Sequence, residues 1–173
     1  IRATSQLGKE SRFSFSIVLS PALTSTITPE FSPTALPKLS QLRVLVVEDN
    51  LINQMVISGL LRKLGITPRI TSSGAEALDV VRESHHELDV ILMDCEMPIM
   101  DGYQATRAIR LLEQRLNQKP LPIIALTAHA LPEHREACFA AGMTGYLSKP
   151  LILSALTSML SAYLPADSMA ASH

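Results

Sequence analysis

The sequence has little cysteine, little net charge and no long apolar segment. Its two cysteines, Cys95 and Cys138, suit small buried thiols in a reducing cytoplasm better than a disulfide framework. The formal net charge of -1 gives no general attraction to nucleic acid or to an anionic membrane. No apolar run approaches the roughly 18 residues that predict a membrane span. We therefore expect a cytoplasmic chain with no nucleic-acid partner and no direct membrane contact.

What is present is enough apolar material for one full domain. Hydrophobic residues make up 47% of the 173 positions, which supports a real core and leaves room for appendages. The chain begins at Ile1 rather than at an initiator methionine, so we expect it to be a piece of a longer protein.

The first twenty residues predict a β-hairpin appended to the main domain. Apolar and polar side chains alternate along residues 12–19, which is typical of a half-buried strand, and residues 1–4 could pair with it. Two strands alone are only marginally stable. The hairpin therefore belongs to a domain that is mostly absent, or it docks on the main domain. The alternating apolar residues are Phe13, Phe15, Ile17 and Leu19.

Composition then divides the rest of the chain. Residues 21–40 are rich in proline, serine and threonine, which predicts a semi-rigid extended linker. Residues 41–164 form the predicted main domain. Residues 165–173 are a small polar tail, too short for a domain. The linker prolines are Pro21, Pro29, Pro33 and Pro37.

The main domain alternates strands and helices, which predicts an α/β fold with a doubly wound, five-stranded parallel sheet. In such sheets ligands bind beyond the carboxyl ends of the strands. The first predicted helix has apolar residues at helical spacing, namely Ile52, Met55, Val56, Leu60 and Leu64. The predicted strands span 42–47, 68–71, 89–93, 123–126 and 145–147. The predicted helices span 50–64, 74–82, 103–116, 132–141 and 151–164.

Three carboxylates follow two of these strands. Asp94 follows apolar residues 90–93 and precedes a turn stiffened by Pro98, while Glu48 and Asp49 leave the first strand. Crowded carboxylates raise each other's pKa unless a cation binds among them. Mg²⁺, a hard ion that prefers oxygen ligands, is the cation we expect. The alternative is that Glu48 and Asp49 only solvate a strand end or cap the next helix.

Two further strand ends carry groups that suit a phosphoryl group. Thr127 offers a hydroxyl that can donate a hydrogen bond, and Lys149 offers a positive charge. Phosphoryl transfer needs positioning and charge neutralisation more than covalent help. Asp94 would then supply the nucleophile. Pro150, directly after Lys149, raises the chance of a cis peptide bond.

Four sets of short segments at the strand ends share the pattern of a known family. They are Val47-Glu48-Asp49-Asn50, Met93-Asp94 with Met97-Pro98 and Asp101-Gly102, Leu126-Thr127-Ala128, and Ser148-Lys149-Pro150. By these segments, residues 42–164 resemble a response-regulator receiver domain. The resemblance implies a flavodoxin-like sheet with strand order 2-1-3-4-5 and an aspartate that accepts a phosphoryl group from phosphohistidine.

The resemblance also implies the ligands of the metal. Asp94 is the phosphoacceptor and one ligand of Mg²⁺, Asp49 binds the ion directly, and Glu48 supports it, often through water. The backbone carbonyl of Glu96 completes the protein ligands.

The resemblance further implies a conformational switch. The hydroxyl of Thr127 moves toward the phosphoryl group and the ring of Tyr146 turns inward, which remodels the face of the fourth helix, fifth strand and fifth helix. For Tyr146 the alternative is a half-buried core aromatic. The positions of Glu96 and His129 are those that tune how fast water reaches the phosphoryl group.

Two segments, residues 50–54 and residues 94–98, point to a subfamily. Their amino-acid sequences resemble those of receivers at the C-terminal ends of hybrid sensor histidine kinases. Residues 5–15 are similar to the last strands of a kinase ATP-binding domain, although Glu10 stands where that family usually has glycine. The nucleotide-binding boxes are missing, so we do not expect this chain to bind ATP as a kinase. Whether it is itself an enzyme stays open, because the resemblance implies that a receiver promotes phosphorylation and dephosphorylation of its own aspartate. The parent protein would be the histidine kinase, with an inner-membrane anchor as one option.

The main hypothesis is therefore a monomeric phosphorelay receiver. Its implied partners are a histidine-phosphotransfer protein or domain and the kinase's own phosphohistidine domain. A second hypothesis is a docking module that binds its partner whatever its phosphorylation state. A third is a Mg²⁺-dependent phosphohydrolase of the haloacid-dehalogenase type, which would need an aspartate where Glu96 stands.

Three histidines outside this site predict no chemistry. His85 and His86 lack the neighbours of a phosphoacceptor histidine box and indicate a solvated loop. His134, like His129, has no third ligand to form a metal site and indicates a surface position.

Overall fold

The computed structural model describes residues 2–6, 8–14, 16, 39–128 and 132–164. The chain divides into two compact units, residues 1–34 and residues 35–173. The predicted linker before residue 39, the tail from residue 165 and His129 lie outside the described residues.

The first unit contains the predicted hairpin. Strand β1 (Arg2–Gln6) pairs antiparallel with β2 (Glu10–Ser14). Gly8 has a φ of +79°, a left-handed conformation that favours glycine, and the Lys9 amide donates to the Gln6 carbonyl at 3.0 Å. The hairpin is confirmed, but its first strand extends to Gln6, and Phe15, Ile17 and Leu19 of the predicted second strand lie outside the described residues.

The second unit is built on a five-stranded sheet whose strands are all parallel. The strands are β3 (Val44–Val47), β4 (Arg69–Thr71), β5 (Val90–Asp94), β6 (Ile123–Thr127) and β7 (Gly145–Ser148). In space the order is β4-β3-β5-β6-β7, which is the predicted order 2-1-3-4-5. Every residue of β3, β5 and β6 is buried, as continuous apolar and β-branched runs require in a sheet covered on both faces.

Two apolar clusters cover the two faces of this sheet. The helices that contribute to them are α1 (Leu51–Lys63), α2 (Gly74–Ser84), α3 (Gly102–Arg115), α4 (Pro132–Ala140) and α5 (Leu153–Ser161). Leu45 and Ile91 pack with residues of α2, α3 and α4 in one cluster, while Val46 and Leu92 pack with residues of α1 and α5 in the other. Successive strand residues alternate between faces, so both clusters are continuous with the sheet. The predicted doubly wound α/β fold is confirmed.

The packing of this unit begins before its first strand. A short 3-10 helix spans Leu39–Gln41, and the Leu39 side chain is only 2% exposed within the cluster that also holds Leu61. Leu39, which the composition places in the linker, therefore packs as part of the core.

Helix α1 forms where predicted, with Asn50 as its N-cap, but it presents an unexpected face to solvent. Ile52, Met55 and Val56 are exposed rather than packed against the sheet. Apolar residues occupy more than one stripe of this helix, so their spacing alone does not select the buried one. The buried positions of α1 are Ile57, Ser58 and Leu61.

Candidate functional site

The predicted site residues follow adjacent strands and meet at one edge of the sheet. Asp94 is the last residue of β5 and lies opposite Leu126, and Thr127 of β6 lies opposite Ser148 of β7. The Lys149 amide donates to the Thr127 carbonyl at 2.7 Å, which extends the pairing beyond β7. Parallel strands in register bring their carboxyl ends together, as the sequence predicts.

The acidic residues form one cluster. Glu48, Asp49 and Asp94 each contribute a carboxylate oxygen, and these oxygens lie within 4.8 Å of one another. Glu48 and Asp94 are buried, whereas Asp49 is exposed. Burial raises the pKa of Asp94 above its ordinary value, against the lowering effect of its hydrogen bond from Lys149. Three hard oxygen donors at this spacing, one of them open to solvent, fit a Mg²⁺ ion.

Lys149 joins two of these carboxylates. Its Nζ lies 2.8 Å from Glu48 Oε2 and 2.9 Å from Asp94 Oδ2. Burial acts to lower the pKa of Lys149, but the hydrogen bonds to Asp94 and Glu48 outweigh it and raise the pKa overall. The ammonium therefore stays charged and partly neutralises a buried pair of acids. The peptide bond between Lys149 and Pro150 is cis, the form whose chance a proline at this position raises.

The segment after Asp94 folds back against the backbone of the strand end. The Glu96 amide donates to Asp94 Oδ1 at 3.2 Å, and the Gly102 amide donates to the Cys95 carbonyl at 3.2 Å. Between them, the Met100 amide donates to the Pro98 carbonyl at 2.8 Å, a γ-turn centred on residue 99. The geometry thus holds one carboxylate oxygen of Asp94 by a backbone donor and the other by Lys149.

Thr127 and Tyr146, the predicted switch residues, lie on adjacent strands. Thr127 is buried and directly follows Leu126, the residue that pairs with Asp94. Tyr146 is half-buried, packs against the apolar cluster that contains Leu45, and has the guanidinium carbon of Arg135 4.9 Å from its ring centroid. This is the half-buried core aromatic that the sequence left open, and the switch role stays a prediction. His129 lies outside the described residues, so its predicted influence on hydrolysis also stays a prediction.

The loop reading of His85 is wrong. The side chain of His85 is buried, and its Nε2 lies 3.3 Å from Oε1 of the buried Glu113. Glu113 also accepts from the amide of Leu121 and from Arg110, both at 2.7 Å. His85 is therefore part of a buried polar network at the amino ends of the strands, away from the acidic cluster, while His86 is exposed.

Two polar residues of α1 contact the site in a way that the sequence did not reveal. Asn53 Nδ2 donates to Glu48 Oε1 at 2.8 Å, and Gln54 Nε2 donates to the Glu48 carbonyl at 2.7 Å. The sequence does show that both residues lie in the first turns of the helix that follows Glu48 and Asp49. It does not show which side of α1 faces these acids, so the two contacts could not be predicted from it.

The two cysteines lie in the core beside this site. Both are buried and free. Burial raises the pKa of the Cys95 thiol to about 12, and the neighbouring Cys138 thiol acts in the same direction. The expectation of small buried thiols is confirmed. None of the helices in the described residues combines the length and the apolar composition that a membrane span requires.

The chain is similar to proteins whose family is established. A family model described as "Response regulator receiver domain" matches residues 44–161. "Hybrid signal transduction histidine kinase M" of Dictyostelium discoideum is 40% identical over 117 residues, which covers 68% of this chain and 5% of that protein. The chain therefore spans a small part of such a relative.

Two solved structures share both fold and sequence. The receiver domain of sensor histidine kinase PA1611 from Pseudomonas aeruginosa PAO1, with a magnesium ion coordinated in its active site cleft, is 43% identical. Its TM-score is 0.62, and the match covers 70% of this chain and 96% of that one. The Saccharomyces cerevisiae co-crystal of the histidine phosphotransfer protein Ypd1 with the receiver domain of Ssk1 gives 32% identity and a TM-score of 0.67, covering 71% and 88%.

The sheet order, the strand-end cluster and these matches agree with one another. The flavodoxin-like topology places Glu48, Asp94 and Lys149 in contact at the carboxyl edge of the sheet. The family model covers that whole edge. The chain belongs to the response regulator receiver domain family.

Proposed function

We propose that this chain is the phosphorelay receiver of a hybrid sensor histidine kinase and that Asp94 is its phosphoacceptor. One observation carries the proposal: the Asp94 carboxylate is held at a strand end, 2.9 Å from the Lys149 ammonium and inside an acidic cluster suited to a divalent cation. The kinase activity itself would belong to other parts of the parent protein.

The reaction exchanges one bond for another at phosphorus. A carboxylate oxygen of Asp94 attacks the phosphorus of a phosphohistidine, the bond between phosphorus and the imidazole nitrogen breaks, and the product is an aspartyl phosphate. Lys149 and Thr127 hold the transferred oxygens by charge and by hydrogen bonding. The reverse reaction returns the phosphoryl group to an imidazole, so the same residues serve either direction of the relay.

Asp49, Asp94, Glu48 and the Glu96 carbonyl are the groups that would hold Mg²⁺. Bound Mg²⁺ supplies positive charge that offsets the charge on the transferred phosphoryl oxygens. Asp49 is exposed, so the cluster is open to solvent on that side.

The surface beside the site supports a protein donor rather than a small molecule alone. Met55 is 75% exposed, and Leu51, Ile52 and Val56 of the same helix are exposed as well. Apolar side chains clustered on a surface mark an interaction site. A small cavity of about 190 Å³ adjoins this strip at Lys149.

The class of partner that fits this surface is a histidine-phosphotransfer protein. Transfer requires a phosphohistidine to approach Asp94, so the partner must cover the rim of the site. The similar receiver of Ssk1 forms a complex with a histidine phosphotransfer protein, which supports the same class of partner here. The kinase's own phosphohistidine domain would present the same group.

Labelling tests the proposal directly. Incubation of the chain with Mg²⁺ and a radiolabelled histidine-phosphotransfer protein should move label to the chain, and the adduct should be sensitive to alkali and hydroxylamine, as an acyl phosphate is. Asp94→Asn should abolish it, whereas Asp79→Asn, which changes an exposed aspartate on α2, should not. Equal labelling of the Asp94→Asn chain would refute the assignment of the nucleophile.

A second candidate function is docking that does not depend on phosphorylation. The exposed apolar strip of α1 does not include Asp94, so a partner could bind this strip whatever the phosphorylation state of Asp94. Affinity for a histidine-phosphotransfer protein should be measured with and without Mg²⁺ and beryllofluoride, a phosphoryl mimic. Equal affinities in both states would favour docking, and a clear difference would favour the relay.

A further inference from the structure

The carboxylate of Glu48 is held at both oxygens. It is fully buried, its Oε1 accepts from Asn53 Nδ2 at 2.8 Å, and its Oε2 accepts from Lys149 Nζ at 2.8 Å. A buried carboxylate that loses its donors pays the full cost of desolvation. These two donors therefore fix the direction in which Glu48 faces the cluster.

One of these donors has a second task. Lys149 also lies 2.9 Å from Asp94 Oδ2. Under the proposed function its ammonium binds the phosphoryl oxygens on Asp94, which would weaken its hydrogen bond to Glu48. Asn53 is the donor that remains, and it does not compete with the metal because a neutral amide adds no positive charge.

Asn53 is itself rigidly placed. Its backbone amide donates to the capping side chain of Asn50 at 3.2 Å, in the first turn of α1. The neighbouring Gln54 donates to the Glu48 carbonyl at 2.7 Å and to Ser72 Oγ at 3.2 Å. The start of α1 thus holds the side chain of Glu48 through Asn53 and its backbone through Gln54.

The length of Glu48 explains why such a contact is useful. A glutamate has one more methylene group, and one more rotatable bond, than the aspartates beside it. Restraining that bond in advance lowers the entropy that metal binding must otherwise remove. Groups that orient a metal's ligands in this way typically change metal affinity by about 10-fold to 100-fold when they are removed.

We propose that Asn53 is a positioning residue of the metal site, which holds the Glu48 carboxylate toward the cation while Lys149 turns to the phosphoryl group. The inference rests on the proposed function, since it requires that the acidic cluster binds Mg²⁺. It assigns to α1 a part in metal binding in addition to its exposed apolar surface.

The test is a Mg²⁺ titration of the 173-residue chain followed by amide chemical shifts in NMR spectra, which needs no phosphoryl transfer. Asn53→Leu keeps the size and removes the donor, so Mg²⁺ affinity should fall by about 10-fold or more. Gln114→Leu makes the same change of amide to leucine on an exposed part of α3 and should leave the affinity unchanged. Asn53→Ser, whose hydroxyl is too short to reach Glu48, gives the same expectation if the leucine variant folds poorly.

A double-mutant cycle separates positioning from a general structural effect. Glu48→Asp draws the carboxylate back by one methylene group, out of reach of Asn53. In that background Asn53→Leu should change Mg²⁺ affinity by less than about threefold. An unchanged affinity in the Asn53 variants, or the same loss in both backgrounds, would overturn the inference. Failure of the proposed function looks different, because the unsubstituted chain would then show no Mg²⁺-dependent shifts at the cluster.

Discussion

Gly102 is the position where the smallest change should have the largest effect on this domain. A Cβ atom added there would lie 2.1 Å from the Asp94 carbonyl oxygen. Cβ atoms in proteins essentially never come within 3.0 Å of such a neighbour, so this contact would be about 0.9 Å too short. It would also lie 3.0 Å from the Asp94 carbonyl carbon and from Cys95 Cα. All three neighbours are backbone atoms, so no side chain can turn away. Gly102→Ala must therefore move either the start of α3 or the end of β5.

The magnitude follows from two effects. Overpacking of this kind costs about 1–3 kcal/mol. Moving the chain also weakens the hydrogen bond from the Gly102 amide to the Cys95 carbonyl, which contributes about 1 kcal/mol. We expect Gly102→Ala to lower the free energy of unfolding by about 3 kcal/mol, a large part of the roughly 5–15 kcal/mol of a typical domain.

Gly59 provides a matched control of opposite sign. It lies inside α1, and a Cβ added there has no atom within 4 Å. Alanine has a higher helix propensity than glycine, so Gly59→Ala should raise the free energy of unfolding by about 0.5–1 kcal/mol.

Urea unfolding followed by circular dichroism measures both variants, with the slope checked for a change in the two-state transition. A Gly102→Ala chain as stable as the unsubstituted chain, or as the Gly59→Ala chain, would refute the close approach at Gly102. Because the same displacement moves the backbone of Asp94, phosphoryl transfer to Gly102→Ala should also be slower at temperatures where the chain is folded.

Three further predictions concern stability. The hydroxyl oxygen of Ser58 is buried without a hydrogen-bond partner among the described residues, so Ser58→Ala should raise the free energy of unfolding by about 1 kcal/mol; a lower melting temperature would contradict this. Ile99 has a φ of +70°, which a β-branched residue rarely adopts, and its side chain is fully exposed. Ile99→Asn should therefore raise the free energy of unfolding by about 1 kcal/mol without loss of packing, and urea unfolding should detect the change. The hydrogen bond from Arg43 lowers the pKa of Asp89, so its stabilising effect is present above the ordinary aspartate pKa of 3.8 and is lost as pH falls through the lower folded pKa. The stability difference between the unsubstituted chain and Asp89→Asn should therefore shrink on acidification, whereas a difference that stays constant with pH would argue against the contact.

Local pattern was sufficient for most of the fold. The apolar runs of β3, β5 and β6 indicated buried parallel strands, because only strands covered on both faces are apolar throughout. The acids at 48, 49 and 94 could be assigned to one edge because parallel strands carry their carboxyl ends to the same side. The hairpin was also accessible from local sequence, whereas Pro150 only raised the chance of the cis bond that the structure shows.

Helix α1 and His85 show where such reasoning stops. Apolar residues occupy more than one stripe of α1, and the sequence does not say which stripe packs against the sheet. His85 looked like part of a solvated loop because its partner, Glu113, lies 28 positions further along the chain.

The sequence by itself determined the order of the elements, the parallel sheet and the identity of the acidic, hydroxyl and ammonium groups at its carboxyl edge. The spacing of apolar residues and the type of residue at each strand end encode these features within a few neighbouring positions. Only the tertiary structure decided that Lys149 bridges Glu48 and Asp94, that Asn53 holds the other oxygen of Glu48, and that Gly102 lies against the Asp94 carbonyl. Lys149 is 101 positions from Glu48, and its contact exists only because two distant strands pack into one sheet. The contacts of Asn53 and Gly102 depend in the same way on how α1 and α3 are set against that sheet.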